Sequence, residues 1–391
     1  MSEPVVSGRT HRSTMRKLLK GPGAKLGVFW IGLLFVVAVL SPFLANSAPL
    51  IEISESGLRF PVLASLAPAD VVLLSLVALL PPVLYLPFSW RTVVPVAIGL
   101  ALVVIALAHS FVEPLRVTVY EKYREAGQAE PAVIQVMAPI PFSPSDYLRD
   151  EGDTGLLPPG SNTVAVHWFG TEQNGADVLS RMIHATRIAL GIGLVATGIA
   201  LGLGILLGGL MGYFSGVVDL VGMRLVEIFE AVPTLFLLLT FVAFFDRSLY
   251  LMMVIIGLTS WPGYARYVRA EFLRLREQEF VQAAKLCGLP TWSILFRHML
   301  PNGIAPIIVA ASFGVASAIL AESTLSFLGL GLVDDPSWGQ MLNQAVQSSE
   351  FYWWMALFPG GAIFLTVLAY NLVGDALRDA LDPNLDVLDE S

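Results

Sequence analysis

Long apolar runs separated by polar segments form the main pattern of the chain. A helix needs roughly 20 apolar residues to cross a bilayer core about 30 Å thick, with every backbone group bonded internally. The pattern therefore predicts membrane-spanning helices at residues 26–45, 71–88, 93–112, 188–211, 225–245, 249–267, 304–328 and 354–373. The run at 71–88 is the weakest, because Pro81 and Pro82 interrupt its hydrogen-bond ladder; a re-entrant or interfacial segment is the alternative there.

Composition and charge agree with a membrane protein and orient it. Only 14% of the residues are charged, against about 25% in soluble domains. Basic residues crowd the tail before the first run and the loop between the sixth and seventh runs. Since cytoplasmic loops carry the excess of Lys and Arg, we predict that both termini are cytoplasmic and that the chain is a multi-pass protein of the cell (inner) membrane.

Residues suited to covalent chemistry or metal binding are sparse. The single cysteine, Cys287, excludes an internal disulfide, and the five histidines lack the spacing of metal ligands. The sequence holds no glycine-rich phosphate loop, no nucleophile elbow and no zinc-protease motif. We therefore predict no enzymatic activity, no metal and no cofactor on this chain.

The cytoplasmic loop at residues 271–302 is predicted to form two helices around a turn. Gly288 permits a left-handed backbone, and Thr291 is a candidate N-cap for a second helix that ends before Pro301. This pattern alone fits either docking into a groove on a soluble partner or an amphipathic connector lying on the membrane surface.

The same loop resembles the EAA sequence of ABC importer permeases, in which Glu-Ala-Ala is followed after three residues by Gly. Gln282, Ala283, Ala284 and Gly288 occupy those positions here, so that Gln282 stands where the family has glutamate. Three further blocks resemble the second permease of oligopeptide and dipeptide importers; they are residues 167–181, 321–331 and 371–383. The resemblance covers about residues 166–384.

The resemblance implies the all-α transmembrane fold of type I ABC importers, with about eight helices: a six-helix family core plus an inserted hydrophobic hairpin. It also implies a permease subunit that forms half of a pathway for peptides or related small solutes. The implied partners are a second homologous permease, two ABC ATPases that bind ATP and Mg, an extracytoplasmic solute-binding protein, a peptide-like substrate and membrane lipid, without nucleic acid. Oligopeptides, dipeptides, nickel chelates and glycosides all stay open as cargo.

The resemblance further implies which residues receive the stroke of the ATPase. They are Glu279, Gln282, Ala283, Ala284, Leu286, Gly288 and Ile294. In the seventh run, Glu322 with Ser323 and Ser326 is a candidate for the pathway or a gate, because an ionisable group inside a bilayer is costly and marks function by default. The alternative is that Glu322 pins the helix break before Gly329.

Two features of the fourth run concern its outer end and its packing. Asp177 and Arg181 lie four residues apart, so we expect them to pair on one helix face as part of an outer rim. The glycines along the run allow close helix packing, either against a partner permease or within the chain.

The domain organisation follows from these assignments. We predict a basic cytoplasmic tail at 1–25, a first transmembrane helix at 26–47, an outside loop with the inserted hairpin at 48–113, a proline-rich extracytoplasmic segment with an amphipathic helix at 114–186, the permease core at 187–378 and a cytoplasmic tail at 379–391. Two other functions stay open from the residues: a secondary transporter, and a membrane docking protein that is not coupled to ATP.

Overall fold

The computed structural model describes residues 21–54, 57–84, 90–112, 120–124, 134–245, 248–332 and 335–381. Helices dominate, which confirms the predicted helical membrane fold. They are α1 Pro22–Leu44, α2 Pro68–Leu84, α3 Trp90–Phe111, α4 Val178–Phe214, α5 Gly216–Ala231, α6 Thr234–Phe244, α7 Leu249–Arg276, α8 Glu279–Leu286, α9 Leu300–Phe327, α10 Trp338–Gln347 and α11 Trp353–Leu381.

The membrane-crossing helices differ in number from the eight predicted. Within the described residues, four helical stretches are long and apolar enough to cross by themselves; they are 22–44, 178–214, 291–327 and 353–381. The predicted span at 225–245 is broken instead, since α5 and α6 meet at a bend of 79°. Val232 is extended at that bend, because the ring of the following Pro233 disfavours the helical conformation at the residue before it. Counting this pair as one span makes five.

The predicted sixth span lies within α7, a 28-residue helix. Its last turns carry four arginines, Arg266, Arg269, Arg274 and Arg276. These charges keep the cytoplasmic half of α7 out of the hydrocarbon core, since each charged side chain near the bilayer centre costs several kcal/mol, about 2.5–3.5 by insertion scales.

The inserted hairpin consists of α2 and α3, which are shorter apolar helices than the other spans. Pro81 and Pro82 do not interrupt α2, which continues through them to Leu84. Each proline leaves the carbonyl group four residues before it without its usual N–H partner. The second helix of the hairpin begins at Trp90, and residues 85–89 lie outside the described part of the chain.

The core is built around the close contact of α4 with α7. Gly204 and Gly208 face α7 so closely that a Cβ atom at either position would collide with Tyr264 or with the carbonyl oxygen of Ala265. Gly202, on the same helix, faces open space. The glycines were predicted to pack either against a partner permease or within the chain. Gly204 and Gly208 pack within the chain.

The outside segment contains two small sheets that the sequence pattern did not predict. In the first, β1 Ile51–Ser54 pairs with both β2 Gly57–Arg59 and β3 Ile134–Val136; in the second, β4 Ser161–Asn162 pairs with β5 Val166–His167. These strands are too short to show an alternating pattern of apolar and polar residues. Because β1 precedes the hairpin and β3 follows it, their pairing closes the chain at the base of the insert.

Polar contacts also hold the outside segment together. Asp146 accepts a hydrogen bond from Ser47 Oγ at 2.6 Å and another from Arg124 at 2.8 Å, and Arg124 Nε donates to Asp150 at 2.7 Å. Burial is the largest single influence on Asp150 and acts to raise its pKa, but the hydrogen bond and positive charge of Arg124, together with a backbone hydrogen bond, outweigh burial and lower the pKa of Asp150. Residues on both sides of the insert are thereby joined.

Candidate functional site

The cytoplasmic loop folds as a short helix ended by a glycine turn. Gly288 follows α8 with a φ of +70°, which confirms the predicted left-handed backbone. Its N–H donates to the carbonyl oxygen of Lys285 at 3.0 Å, and the N–H of Leu289 donates to that of Ala284 at 3.2 Å. This pair of bonds is the Schellman arrangement, which satisfies the free carbonyl groups at a helix end and fixes the direction of the exit.

The second helix of the loop differs from the prediction at both ends. Pro290, in an extended conformation, occupies the N-cap position, and Thr291 is already the first helical residue. The helix does not end before Pro301; it runs without a break from 291 to 327. A π-helical segment, Ile294–Met299, comes directly before α9. The wider π turn leaves room for Pro301, which has no N–H to donate and whose ring crowds the carbonyl group of the preceding turn.

The residues assigned to the ATPase stroke lie on two opposite faces of the loop. Ala284 and Ile294 are buried in a cluster that includes Phe272 of α7 and Ile307 of α9. The others are exposed on the cytoplasmic side, namely Glu279, Gln282, Ala283, Leu286 and Gly288. We call the exposed group, together with Trp292, the loop surface. Ala284 and Ile294 therefore hold the loop on the core and present little to a partner.

The loop surface exposes two large apolar side chains beside its polar ones. Leu286 is 90% exposed and Trp292 is 57% exposed, with the Trp292 ring stacked on Phe296 at a centroid distance of 5.4 Å. Exposed apolar groups that cluster on a rigid element mark a contact surface more often than they mark a free one. Small Ala283 beside them permits close approach of a partner.

Gln282 uses its side-chain amide in a way that the family's glutamate cannot. Its Nε2 donates to the backbone carbonyl oxygen of Arg276 at 3.0 Å. A carboxylate at this position only accepts hydrogen bonds, so it would face the carbonyl oxygen unfavourably. The substitution thus ties α8 back to the end of α7.

Two contacts connect the loop with the cytoplasmic end of α4. The ammonium of Lys285 lies 5.2 Å from the centroid of the Tyr213 ring, and Arg276 Nη1 donates to the carbonyl oxygen of Tyr213 at 3.4 Å. Through the buried cluster and the continuous helix the loop is also joined to α7 and α9. The loop is therefore in contact with three core helices, α4, α7 and α9.

A groove of about 370 Å³ opens between α4, α7 and α9. Hydroxyl groups of Thr197, Ser260, Tyr264 and Ser317 line it among small and apolar residues. The lining residues that the structure describes carry no formal charge. Tyr264 is held by a hydrogen bond with Thr197 and by its contact with Gly314, where a side chain would collide with the hydroxyl.

Sequence reasoning missed these groove residues. They are ordinary in type, and scattered hydroxyls within apolar helices are frequent because they can bond to the carbonyl group one turn before. The feature that marks the groove is the contact of a tyrosine on one helix with a glycine on another. Tyr264 and Gly314 meet only because α7 packs on α9. No local pattern encodes that contact.

Glu322 does not line this groove. It is 1% exposed, and it accepts hydrogen bonds from Ser326 Oγ at 2.6 Å and Ser323 Oγ at 3.3 Å. Ser337, just before α10, also bonds to it, and Gly339 packs directly on the backbone of Ser323. The geometry favours the alternative in which Glu322 pins the outer end of α9, here to the start of α10; a role in the pathway or a gate stays a prediction.

Asp177 and Arg181 do not pair with each other as expected. Asp177 is the N-cap of α4: one carboxylate oxygen accepts from the N–H of Ser180 at 2.7 Å and the other bonds to His167 at 2.8 Å. An N-cap side chain turns back towards the free N–H groups, away from Arg181, which donates to the carbonyl oxygen of Pro144 at 3.2 Å. Both side chains are buried, so neither presents an outer rim directly.

The described residues contain no group of three or more His, Cys, Asp or Glu placed to hold a metal ion. The arrangement offers two surfaces: exposed apolar side chains on the loop and a neutral, hydroxyl-lined groove between α4, α7 and α9.

Comparison with known proteins gives consistent matches. The family described as "Binding-protein-dependent transport system inner membrane component" matches residues 204–387. The chain is 39% identical to the dipeptide transport system permease protein DppC of Alkalihalophilus pseudofirmus over 254 residues, which are 65% of this chain and 82% of that protein. It is 40% identical to the oligopeptide transport system permease protein OppC of Escherichia coli over 253 residues, 64% of this chain and 83% of that one.

A third relative is the glutathione transport system permease protein GsiD of Pectobacterium atrosepticum, which is 39% identical over 247 residues, 63% of this chain and 80% of its own length. Among solved structures, the inward-facing MetNI methionine ABC transporter covers 52% of this chain and 98% of its own, with 16% identity and a TM-score of 0.45. The three sequence relatives are each matched over about four fifths of their length.

Proposed function

Since this chain belongs to the family of oligopeptide and dipeptide ABC importer permeases, we propose that it forms half of a pathway that carries peptides or related small solutes into the cell. It is a membrane subunit that receives work from ATP hydrolysis performed elsewhere. ATP and Mg bind to two ATPase subunits, a second homologous permease completes the pathway, and an extracytoplasmic solute-binding protein delivers the substrate.

The loop surface carries the part of the proposal that concerns energy coupling. Leu286 extends from α8 with nine tenths of its surface exposed, at the end of a helix whose opposite face is buried in the core. An apolar side chain presented in this way is the kind of anchor that fills a pocket on a partner. We assign it to a groove on the ATPase subunit.

The supporting contacts explain how motion of the ATPase reaches the membrane. The Schellman turn at Gly288 fixes the angle between α8 and the following helix, and that helix continues unbroken to Phe327. Because packed helices are bistable and resist continuous deformation, a push on α8 is passed on as a rigid movement of α9 with the attached ends of α4 and α7.

The groove between α4, α7 and α9 is the surface proposed for the substrate. Its neutral hydroxyl groups, such as those of Ser260 and Ser317, suit the backbone amides of a peptide, which need donors and acceptors whatever the side chains are. In a two-permease assembly the open side of the groove would face the partner permease, so that the pathway lies between the subunits.

The experiment is co-purification of the tagged chain in mild detergent with its ATPase, comparing wild type, Leu286→Glu and Leu286→Met. Leu286 packs on little within the chain, so Leu286→Glu removes the anchor without opening the core. We expect wild type and Leu286→Met to bring down vanadate-sensitive ATPase activity. With Leu286→Glu, the co-purified ATPase activity should be at least about tenfold lower, which corresponds to a loss of ~1.4 kcal/mol of binding energy.

The second permease in the eluate serves as the folding control. Leu286→Glu should retain it while losing the ATPase. Full retention of ATPase activity by Leu286→Glu would refute the loop surface as the docking site. Recovery of wild type without any ATPase in several detergents would refute the proposed ATP coupling itself.

A further inference from the structure

A second cavity, of about 660 Å³, lies between the inserted hairpin and the permease core. The hairpin contributes Val72, Leu73 and Leu76 of α2, and the core contributes residues of α1, α4 and α7. The volume is within the range of about 300–1,000 Å³ found for small-molecule sites. Nothing in the proposed transport function uses this space, since the groove for the substrate is lined by other residues.

A buried ion pair closes one end of the cavity. Arg187 Nη1 of α4 pairs with Asp70 Oδ1 of α2, and the two side chains keep only 23% and 7% of their exposure. Asp70 also accepts the N–H of Ala67 at 2.8 Å, which fixes it at the start of its helix. The guanidinium has five N–H donors, so contact with one carboxylate oxygen leaves donors for another acceptor.

Further polar groups lie at the same end. Asp335 and Tyr250 line the cavity, and both interact electrostatically with Arg187. Asp335 is exposed. Arg187 and Asp335 therefore line the same cavity, together with His109 near the outer end of α3, and most of the remaining wall is aliphatic.

The polar end faces the outer side of the membrane. With a cytoplasmic N-terminus, α2 and α4 both begin on the outside, at Pro68 and Val178. Arg187 is nine residues into α4, which corresponds to a depth of about 13 Å at 1.5 Å per residue. The chamber thus has a charged mouth near the outer interface and an apolar body that extends inward, the layout of a lipid molecule in the outer leaflet.

We propose that this cavity binds one zwitterionic phospholipid with a primary ammonium head group, its phosphate on Arg187 and its ammonium on Asp335. Arginine suits phosphate because its planar fork donates two parallel hydrogen bonds. A carboxylate beside it would repel a purely anionic head group and attract an ammonium. The lipid fills the space that the hairpin leaves against α1 and α4.

The volume argues for an acyl chain and against a helix of a partner protein. A methylene group occupies about the volume of a water molecule, roughly 30 Å³, so one acyl chain with sixteen of them needs about 480 Å³ and fits the cavity, while the second chain of the phospholipid stays in the surrounding bilayer. A membrane-spanning helix about 10 Å across and 30 Å long occupies about 2,400 Å³. That is several times the space present.

The tail cannot by itself explain retention of a lipid, because bilayer lipid is as apolar as the cavity wall. Selective binding must come from the charged mouth. This requirement makes the proposal testable by two independent changes, one that fills the apolar body and one that alters a head-group contact.

The experiment is native mass spectrometry of the full-length chain, delipidated and then reconstituted with phosphatidylethanolamine, phosphatidylglycerol or phosphatidylcholine. Leu73→Trp fills the cavity from the hairpin, and Leu102→Trp makes the same change at a position of α3 that is 62% exposed. We expect wild type and Leu102→Trp to retain one phosphatidylethanolamine, and Leu73→Trp to retain at least about tenfold less.

Asp335→Asn tests the ammonium contact at an exposed residue whose replacement leaves the Asp70–Arg187 pair in place. We expect it to lower the preference for phosphatidylethanolamine over phosphatidylglycerol by about tenfold, the effect of losing one hydrogen bond to a charged group. Equal retention by Leu73→Trp and Leu102→Trp would overturn the site. A wild-type preference for phosphatidylglycerol, or a co-purifying polypeptide that Leu73→Trp displaces, would overturn the assigned occupant.

Discussion

The helical core and the inserted hairpin are joined to their neighbours in opposite ways. In the core, α4 and α7 approach so closely that Gly204 and Gly208 leave no room for a Cβ atom. Between α2 and α4 there is instead a cavity of about 660 Å³. An ion pair between Asp70 and Arg187 links the hairpin to the core there.

The difference reflects what each region has to do. A core that passes movement from the cytoplasmic loop to the groove needs backbone contacts spread along the helices, because a loose contact would absorb the displacement. The hairpin lies at the edge of that core, so an ion pair, a few helix contacts and lipid can hold it. The contacts that hold the core are therefore spread along its helices, whereas those that hold the hairpin centre on the Asp70–Arg187 pair.

Removing the polar link should have the largest effect on a single region. Asp70→Ala leaves the Arg187 guanidinium without its carboxylate, and breaking a buried pair from one side costs about 3 kcal/mol. We expect the hairpin to separate from the core while the core stays folded. Hydrogen exchange should become faster in α2 and α3 and stay unchanged in α7.

The matched control is the double variant Asp70→Ala with Arg187→Leu, which removes both charges. It should restore much of the protection in α2, since no unpaired buried charge remains. Faster exchange throughout α4 and α7 in Asp70→Ala would mean that the hairpin and the core unfold as one unit, which would contradict their separate attachment.

Substitution within the core should have a smaller free-energy effect that spreads further. In Gly208→Ala the new Cβ collides with the Ala265 carbonyl oxygen, and overpacking of this kind costs about 2 kcal/mol. The Tm in detergent should fall. Gly202→Ala changes the same residue type on the same helix in open space, and it should be neutral or raise the Tm, since alanine favours helix by about 1 kcal/mol over glycine. Equal changes in both variants would contradict distributed close packing.

The smallest effect is expected at the exposed loop. Gln282→Glu loses the donor to the Arg276 carbonyl oxygen, which costs about 1 kcal/mol for a hydrogen bond and less where water can substitute. Hydrogen exchange across residues 279–289 should become modestly faster. Gln278→Glu, an exposed neighbour before α8, should show no such change; if both variants behave alike, the amide contact does not hold the loop.

Much of the architecture was predictable because it follows from local chemistry. Runs of apolar residues identify helices in a bilayer, and the arginines of α7 orient them. The left-handed turn was predictable at Gly288, because glycine after a short helix has few competing explanations. Asp177 was a harder case: its spacing from Arg181 suggested a pair, yet its place at the start of α4 made it an N-cap.

Proline shows how far a local rule reaches. Pro233 breaks a helix, whereas Pro301 lies inside a continuous one and Pro81 near the end of another. Proline has the same covalent structure in each place. Whether the helix continues depends on neighbouring contacts, such as the burial of Ile294 and Met299 under α7, which hold the π-helical segment before Pro301.

Sequence alone determined the membrane environment, the orientation, the family and the position of the cytoplasmic loop, because each rests on composition or on residues close together in the chain. Only the tertiary structure decided which loop residues are exposed, that Glu322 reaches Ser337, that Tyr264 meets Gly314 and that a cavity lies under the hairpin. These contacts join residues far apart in the chain, and their geometry depends on helix packing to within an ångström, which no spacing of residues along one helix specifies.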